Sequence, residues 1–117
     1  MDWEIEFYCD SEGNVPVQDF ILMQAPKVQA KILHYLDLLK LFGLTLGQPY
    51  IKKLAGSNIW ELRIHHRSNY YRILYFAFAG RKFILVHSFL KKAKKTPRSE
   101  LMIAEDRIID YKQRYSR

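Results

Sequence analysis

Cysteine is nearly missing from this chain: Cys9 stands alone among 117 residues. One thiol excludes an internal disulfide, and an unstapled domain suits a reducing compartment. Long apolar runs are missing as well, since none approaches the ~20 residues that span a bilayer. The N-terminal MDWEIEFYCD is acidic and alternating, unlike the basic start of a signal peptide, so a cytoplasmic protein is expected. There are no internal repeats, linkers or low-complexity tracts, and at about 100–200 residues per domain one domain over residues 1–117 is expected. No glycine-rich phosphate loop or dinucleotide fingerprint occurs, so no nucleotide cofactor is indicated. Metal-ligand spacings of the CxxC or HExxH kind are lacking too. His65 and His66 are adjacent, which on a strand sends them to opposite faces. Cys9 has no base near it in sequence and reads as a packing thiol.

What is present is apolar and basic. Hydrophobic residues make up 49% of the chain and aromatics 15%, enough to build a core. The net charge of +7 is unevenly spread: residues 1–50 hold three Lys and seven acids, residues 51–117 sixteen Lys or Arg and five acids. A basic half joined to an acidic half points to a face for a polyanion. The charge peaks in VHSFLKKAKKTPR, where Lys91, Lys92, Lys94, Lys95 and Arg98 follow an apolar strand. Like charges packed so closely repel unless an anion relieves them.

The periodicity predicts a mixed fold. Trp3, Ile5 and Phe7 alternate with Glu4 and Glu6 as on a half-buried strand. Pro16 opens a short helix that Pro26 interrupts, and Val28, Ile32, Tyr35, Leu36 and Leu39 recur at helical spacing up to a Gly43 cap. IWELRIHH alternates Trp60, Leu62 and Ile64 with Glu61, Arg63 and His65. YYRILYFAF and KFILVHSF are nearly continuous apolar runs, expected of central strands covered on both faces, joined by a turn at Gly80. Thr96-Pro97 starts a last helix lined by Leu101, Ala104, Ile108, Tyr111 and Tyr115. The order is β-α-α-β-β-β-α: a small α+β domain with its helices on one face of a mainly antiparallel sheet.

Arg63 falls on the polar side of its strand, where a solvated face accounts for it equally well. Arg72 interrupts a core strand, and a guanidinium cannot shed its charge. It either pairs with Glu61 as a structural bridge or holds a phosphate with its planar fork, and the basic run downstream favours the phosphate.

KKLAGSNIWELRI, then YYRILYF, then ILVHSFLKKAKKTP resemble the phage-derived, HigB-like branch of the RelE/ParE toxin superfamily. The similarity runs from GNVPVQDF to AEDRIIDYKQRY, nearly the whole chain. It implies a small RelE-like domain, an N-terminal helical hairpin and a C-terminal helix on a twisted sheet. It also implies a type II toxin that cleaves messenger RNA on the ribosome without metal or cofactor. The expected partners are a HigA-like helix-turn-helix antitoxin, mRNA and the ribosome, with no membrane. Carried over residue by residue, Arg63 matches an RNA-contacting basic residue, Arg72 the arginine that stabilises the scissile phosphate, and Lys92 a basic residue just beyond the following strand that does similar catalytic work. Arg67, Lys91, Lys94, Lys95 and Arg98 are the expected RNA-binding residues around them. Two departures stand out. Glu61 occupies the position of a second basic residue of RelE, and the C-terminal tyrosine of that family has no clear counterpart. Histidine-using relatives make His65 and His87 the candidates for proton transfer. A ParE-like gyrase inhibitor and a catalytically silent nucleic-acid-binding subunit are the alternatives that the same fold allows.

Overall fold

The computed structural model describes residues 2–91 and 95–115. Its elements are β1 (Glu4–Phe7), α1 (Pro16–Leu22), α2 (Pro26–Phe42), a 3-10 turn (Gly43–Leu46), β2 (Ile51–Lys53), β3 (Trp60–His66), β4 (Asn69–Phe78), β5 (Lys82–Lys91) and α3 (Arg98–Tyr115). The α+β architecture expected from the sequence holds, with one strand added. β2 is three residues long, too short for period 2 to announce it, and pairs antiparallel with β3 through Ile51 opposite Leu62.

The sheet order is β1-β5-β4-β3-β2, antiparallel except where β1 runs parallel to β5. The apolar runs of β4 and β5 therefore lie near the middle, where both faces need cover. On one face Val17 and Ile21 of α1 and Val28, Ile32, Leu36 and Leu39 of α2 pack on Leu62, Ile64, Tyr71, Ile73, Tyr75, Phe83 and Leu85. At the edge of that layer Trp3 stacks on Phe83 with centroids 3.9 Å apart. Gly43, at φ 57°, caps α2 where a Cβ would overlap the Trp3 indole, so both conformation and space call for glycine.

The single-face expectation for the helices is corrected here. α3 packs on the opposite face, where Ala104 and Tyr111 meet Leu74, Phe76, Ile84, Val86 and Phe89. Without it these side chains would lie open to water, at about 1.5–3 kcal/mol for each large one. Arg114 ties the end of α3 to the N-terminal segment by donating to the Cys9 carbonyl at 2.5 Å and to Asp110, which also accepts from the Tyr8 hydroxyl at 2.6 Å.

A register shift sets the other detail that matters. Leu74 faces His87 but Tyr75 faces Leu85, so Val86 is an extra residue in β5. Such a bulge re-aims the side chains next to it. Val86 and His87 both turn toward α3, whereas an unbroken strand would send them to opposite faces.

Candidate phosphate-binding site

Three cross-strand rows on the α3 face gather half of the predicted residues. Glu61, Leu74 and His87 form the first, Arg63, Arg72 and Phe89 the second, and His65, Tyr70 and Lys91 the third. α3 lies over β5 and β4, and much of the same face of β3 and β2 stays open beside it.

At the centre is one carboxylate facing two guanidiniums. Glu61 is fully buried, and its Oε1 accepts from Arg63 Nε at 2.8 Å. Its Oε2 accepts from the Thr96 hydroxyl and lies 3.7 Å from Arg72 Nη1. The side chain of Arg72 is 4% exposed and that of Arg63 is 25% exposed. Of the two roles open to Arg72, the geometry thus displays the bridge to Glu61: this arginine stands behind the surface and Arg63 at it. A charge this deep is tolerated because opposite charge is close, and removing one partner of such a pair costs about 3–5 kcal/mol.

Arg63 opens onto a cavity of about 270 Å³ lined also by Lys52, Lys53, Leu54, Ala55, Lys95, Thr96 and Leu101. Four cations around one small hollow repel one another, and an anion with several oxygens relieves that repulsion. A larger hollow of about 410 Å³ follows residues 53–58, but a single loop walls it and Lys53 is its one charged residue among the described residues. The smaller cavity is where the chemistry gathers.

The other predicted residues are dispersed. His65 is exposed and stacks on Tyr70, with centroids 4.4 Å apart and planes 10° from parallel. His87 is 13% exposed and both its ring nitrogens are engaged. Its Nε2 lies 2.6 Å from Glu100 Oε1, and its Nδ1 lies 3.2 Å from Arg107 Nη1, which also donates to the Val86 carbonyl at 2.8 Å. An arginine has only donors, so Nδ1 accepts and the proton sits on Nε2, facing Glu100. Burial holds the His87 pKa below the ordinary imidazole value, outweighing the upward pull of Glu100. His87 therefore braces β5 against α3, with Leu74 between it and Glu61.

Arg67 is exposed at the β3–β4 turn with φ 57°, and Arg98 is exposed at the first residue of α3. Lys91 ends β5 opposite Tyr70, and Lys95 lines the cavity. Lys92 and Lys94 lie outside the described residues. Sequence reasoning passed over Lys52 and Lys53, whose place beside Arg63 depends on the short β2, and the brace residues Glu100 and Arg107. The Lys-Lys pair of IKKL was the available signal, outshone by the denser run at 91–98. Among the described residues no three His, Cys, Asp or Glu side chains converge as metal ligands would, and no helix is long and apolar enough to cross a membrane.

The profile of the family described as phage-derived protein Gp49-like matches residues 19–108, from α1 into α3. The chain belongs to that family. The Gp49-like family is a RelE/toxin-like one, which agrees with the expected superfamily and implies an antitoxin partner in general. The matched span takes in Glu61, Arg63, Arg72 and every wall of the basic cavity. No curated protein matches this Gp49-like chain significantly.

Proposed function

We propose that this Gp49-like chain is the toxin of a type II toxin–antitoxin pair of the HigB-like branch, and that it acts in the cytoplasm as an endoribonuclease on ribosome-bound messenger RNA. One observation carries the reading: Arg63 lines a basic cavity while a buried carboxylate holds it from behind, with Arg72 on that carboxylate's other oxygen. A guanidinium fixed in this way is aimed before substrate arrives, which is what transition-state stabilisation requires.

The reaction is an in-line displacement within the RNA. The 2′-oxygen forms a bond to the adjacent phosphorus as the bond to the 5′-oxygen breaks, leaving a 2′,3′-cyclic phosphate and a 5′-hydroxyl. Charge grows on the non-bridging oxygens, where Arg63 and Lys95 stabilise it at ~3–4 kcal/mol for each well-aimed donor. One proton leaves the 2′-hydroxyl and one reaches the 5′-oxygen. His65 lies on the same sheet face one row beyond Arg63, and imidazole suits such transfers, typically for ~10²–10⁴-fold. His87, with both nitrogens engaged, is left out of this step. Lys52 and Lys53 hold neighbouring phosphates, and Arg67, Lys91, Lys92, Lys94 and Arg98 add general attraction. A HigA-like antitoxin is the partner that neutralises the activity.

The test is brief expression without antitoxin, with transcript 5′ ends mapped and protein synthesis measured. Arrested synthesis and new 5′ ends within coding regions are expected. Continued synthesis with blocked DNA supercoiling overturns the reading in favour of gyrase inhibition.

A further inference from the structure

The third row of the open face holds an aromatic pair that the phosphate chemistry does not use. His65 and Tyr70 are direct cross-strand partners, and their rings stack at 4.4 Å and 10°. Both are exposed, Tyr70 at 36% of its surface, although an apolar ring of that size in a strand this close to the core gains by being covered. Stacking covers one face of each ring, and the exposure that remains on Tyr70 is surface that a further ring can cover. Tyr70 is two residues along β4 from Arg72, and His65 is two along β3 from Arg63, a separation of about 6.8 Å. That is the reach from a phosphate held at Arg63 to a base of the same strand of RNA.

We propose that Tyr70, held upright by His65, is a stacking platform for an unpaired nucleobase next to the scissile phosphate. This rests on the ribonuclease reading and adds a subsite to it. Every base presents a π-face, so the platform accepts any base and fixes its position without selecting its identity. Single-stranded RNA fits and duplex RNA does not, because the bases of a duplex are stacked on one another and have no free face to offer. Stacking also accounts for a ring left uncovered one cross-strand row beyond Arg63 of the basic cavity: aromatic faces and phosphate-holding cations are the two halves of a single-strand binding surface.

The probe is a 2′-O-methyl oligoribonucleotide, which lacks the nucleophile and is not cut, carrying a single 2-aminopurine whose fluorescence falls on stacking. Wild type and Tyr70→Phe are expected to bind alike and to quench it. Tyr70→Leu should bind about tenfold or more weakly without quenching. Its salt dependence should match wild type, because no phosphate contact has been lost. Thermal unfolding of each variant accompanies the titration, and Tyr70→Val replaces the leucine variant if that one unfolds. Binding and quenching by folded Tyr70→Leu equal to wild type overturn the platform. If Lys52→Gln weakens binding while Tyr70→Leu does not, only the platform falls. If wild type fails to bind even at low salt, the platform falls, and cleavage of ribosome-bound mRNA decides the ribonuclease reading separately.

Discussion

The two faces of the sheet share their strands and differ in almost everything else. Toward α1 and α2 the side chains of Leu62, Ile64, Ile73, Tyr75, Phe83 and Leu85 are entirely buried in one apolar layer. Toward α3 the apolar layer covers β5 and β4, and then gives way to Glu61, Arg63, Arg72, His65 and Tyr70. The closed face supplies stability by area. The half-open face spends some of it, holding a carboxylate and an arginine away from water so that a second arginine stands rigid at the surface. A side chain that is costly to bury, beside one that it positions, is the pattern expected of a functional face, and the proposed site is placed there on that ground.

The sharpest way to break this contrast is to remove Glu61. Glu61→Ala should destabilise the protein by about 3–5 kcal/mol, because two guanidiniums lose the carboxylate they share. Urea unfolding measures it, and a loss below 1 kcal/mol would mean that the network is not buried in solution. Next comes the closed face. Ile32→Ala should cost about 2–5 kcal/mol through a cavity, yet the folded fraction should cleave RNA at the wild-type rate. A matched fall in the rate per folded molecule would erase the division of labour between the faces.

Much of this contrast was written in the sequence. The alternation of WELRIHH separates Leu62 and Ile64 from Glu61, Arg63 and His65, so the polar row was legible residue by residue. The apolar density of β4 and β5 required cover on both sides, yet a hydrophobic run does not say which helix supplies it, and α3 was expected beside the other two. Register was hidden for the same reason. The bulge at Val86 has no local signature, and it alone turns His87 toward Glu100 and Arg107. Tyr70 was obscured differently: within NYYRILYF it reads as one more core aromatic, and only strand parity with Arg72 moves it to the open face.

Smaller effects refine the comparison. His87 has a pKa lowered by burial, so the folded state resists its protonation. Its contribution to stability is complete above the unfolded value near 6.5 and is lost as pH falls through the lower folded value. Melting temperatures at pH 7.5 and 5.5 should fall more for wild type than for His87→Gln; an equal fall would remove His87 as a source of acid sensitivity. The smallest effect is electrostatic. Lys52→Gln and Lys53→Gln should each flatten the dependence of log affinity on log salt by about one unit or less, with little change in stability. Slopes identical to wild type would take the β2 lysines out of the RNA path.

The central claim is that Arg63 is the aimed cation of a ribonuclease, and single-turnover cleavage of ribosome-bound mRNA at saturating enzyme tests it most directly. Wild type should yield 2′,3′-cyclic phosphate and 5′-hydroxyl ends. Arg63→Gln should cleave about 10²–10³-fold more slowly. The substitution leaves buried Glu61 without its closest charge partner, so stability should also fall by up to about 3–5 kcal/mol. The rate is therefore read per folded molecule, with urea unfolding run in parallel. A folded Arg63→Gln that cuts at the wild-type rate, or a wild type that leaves the message intact, would contradict the account.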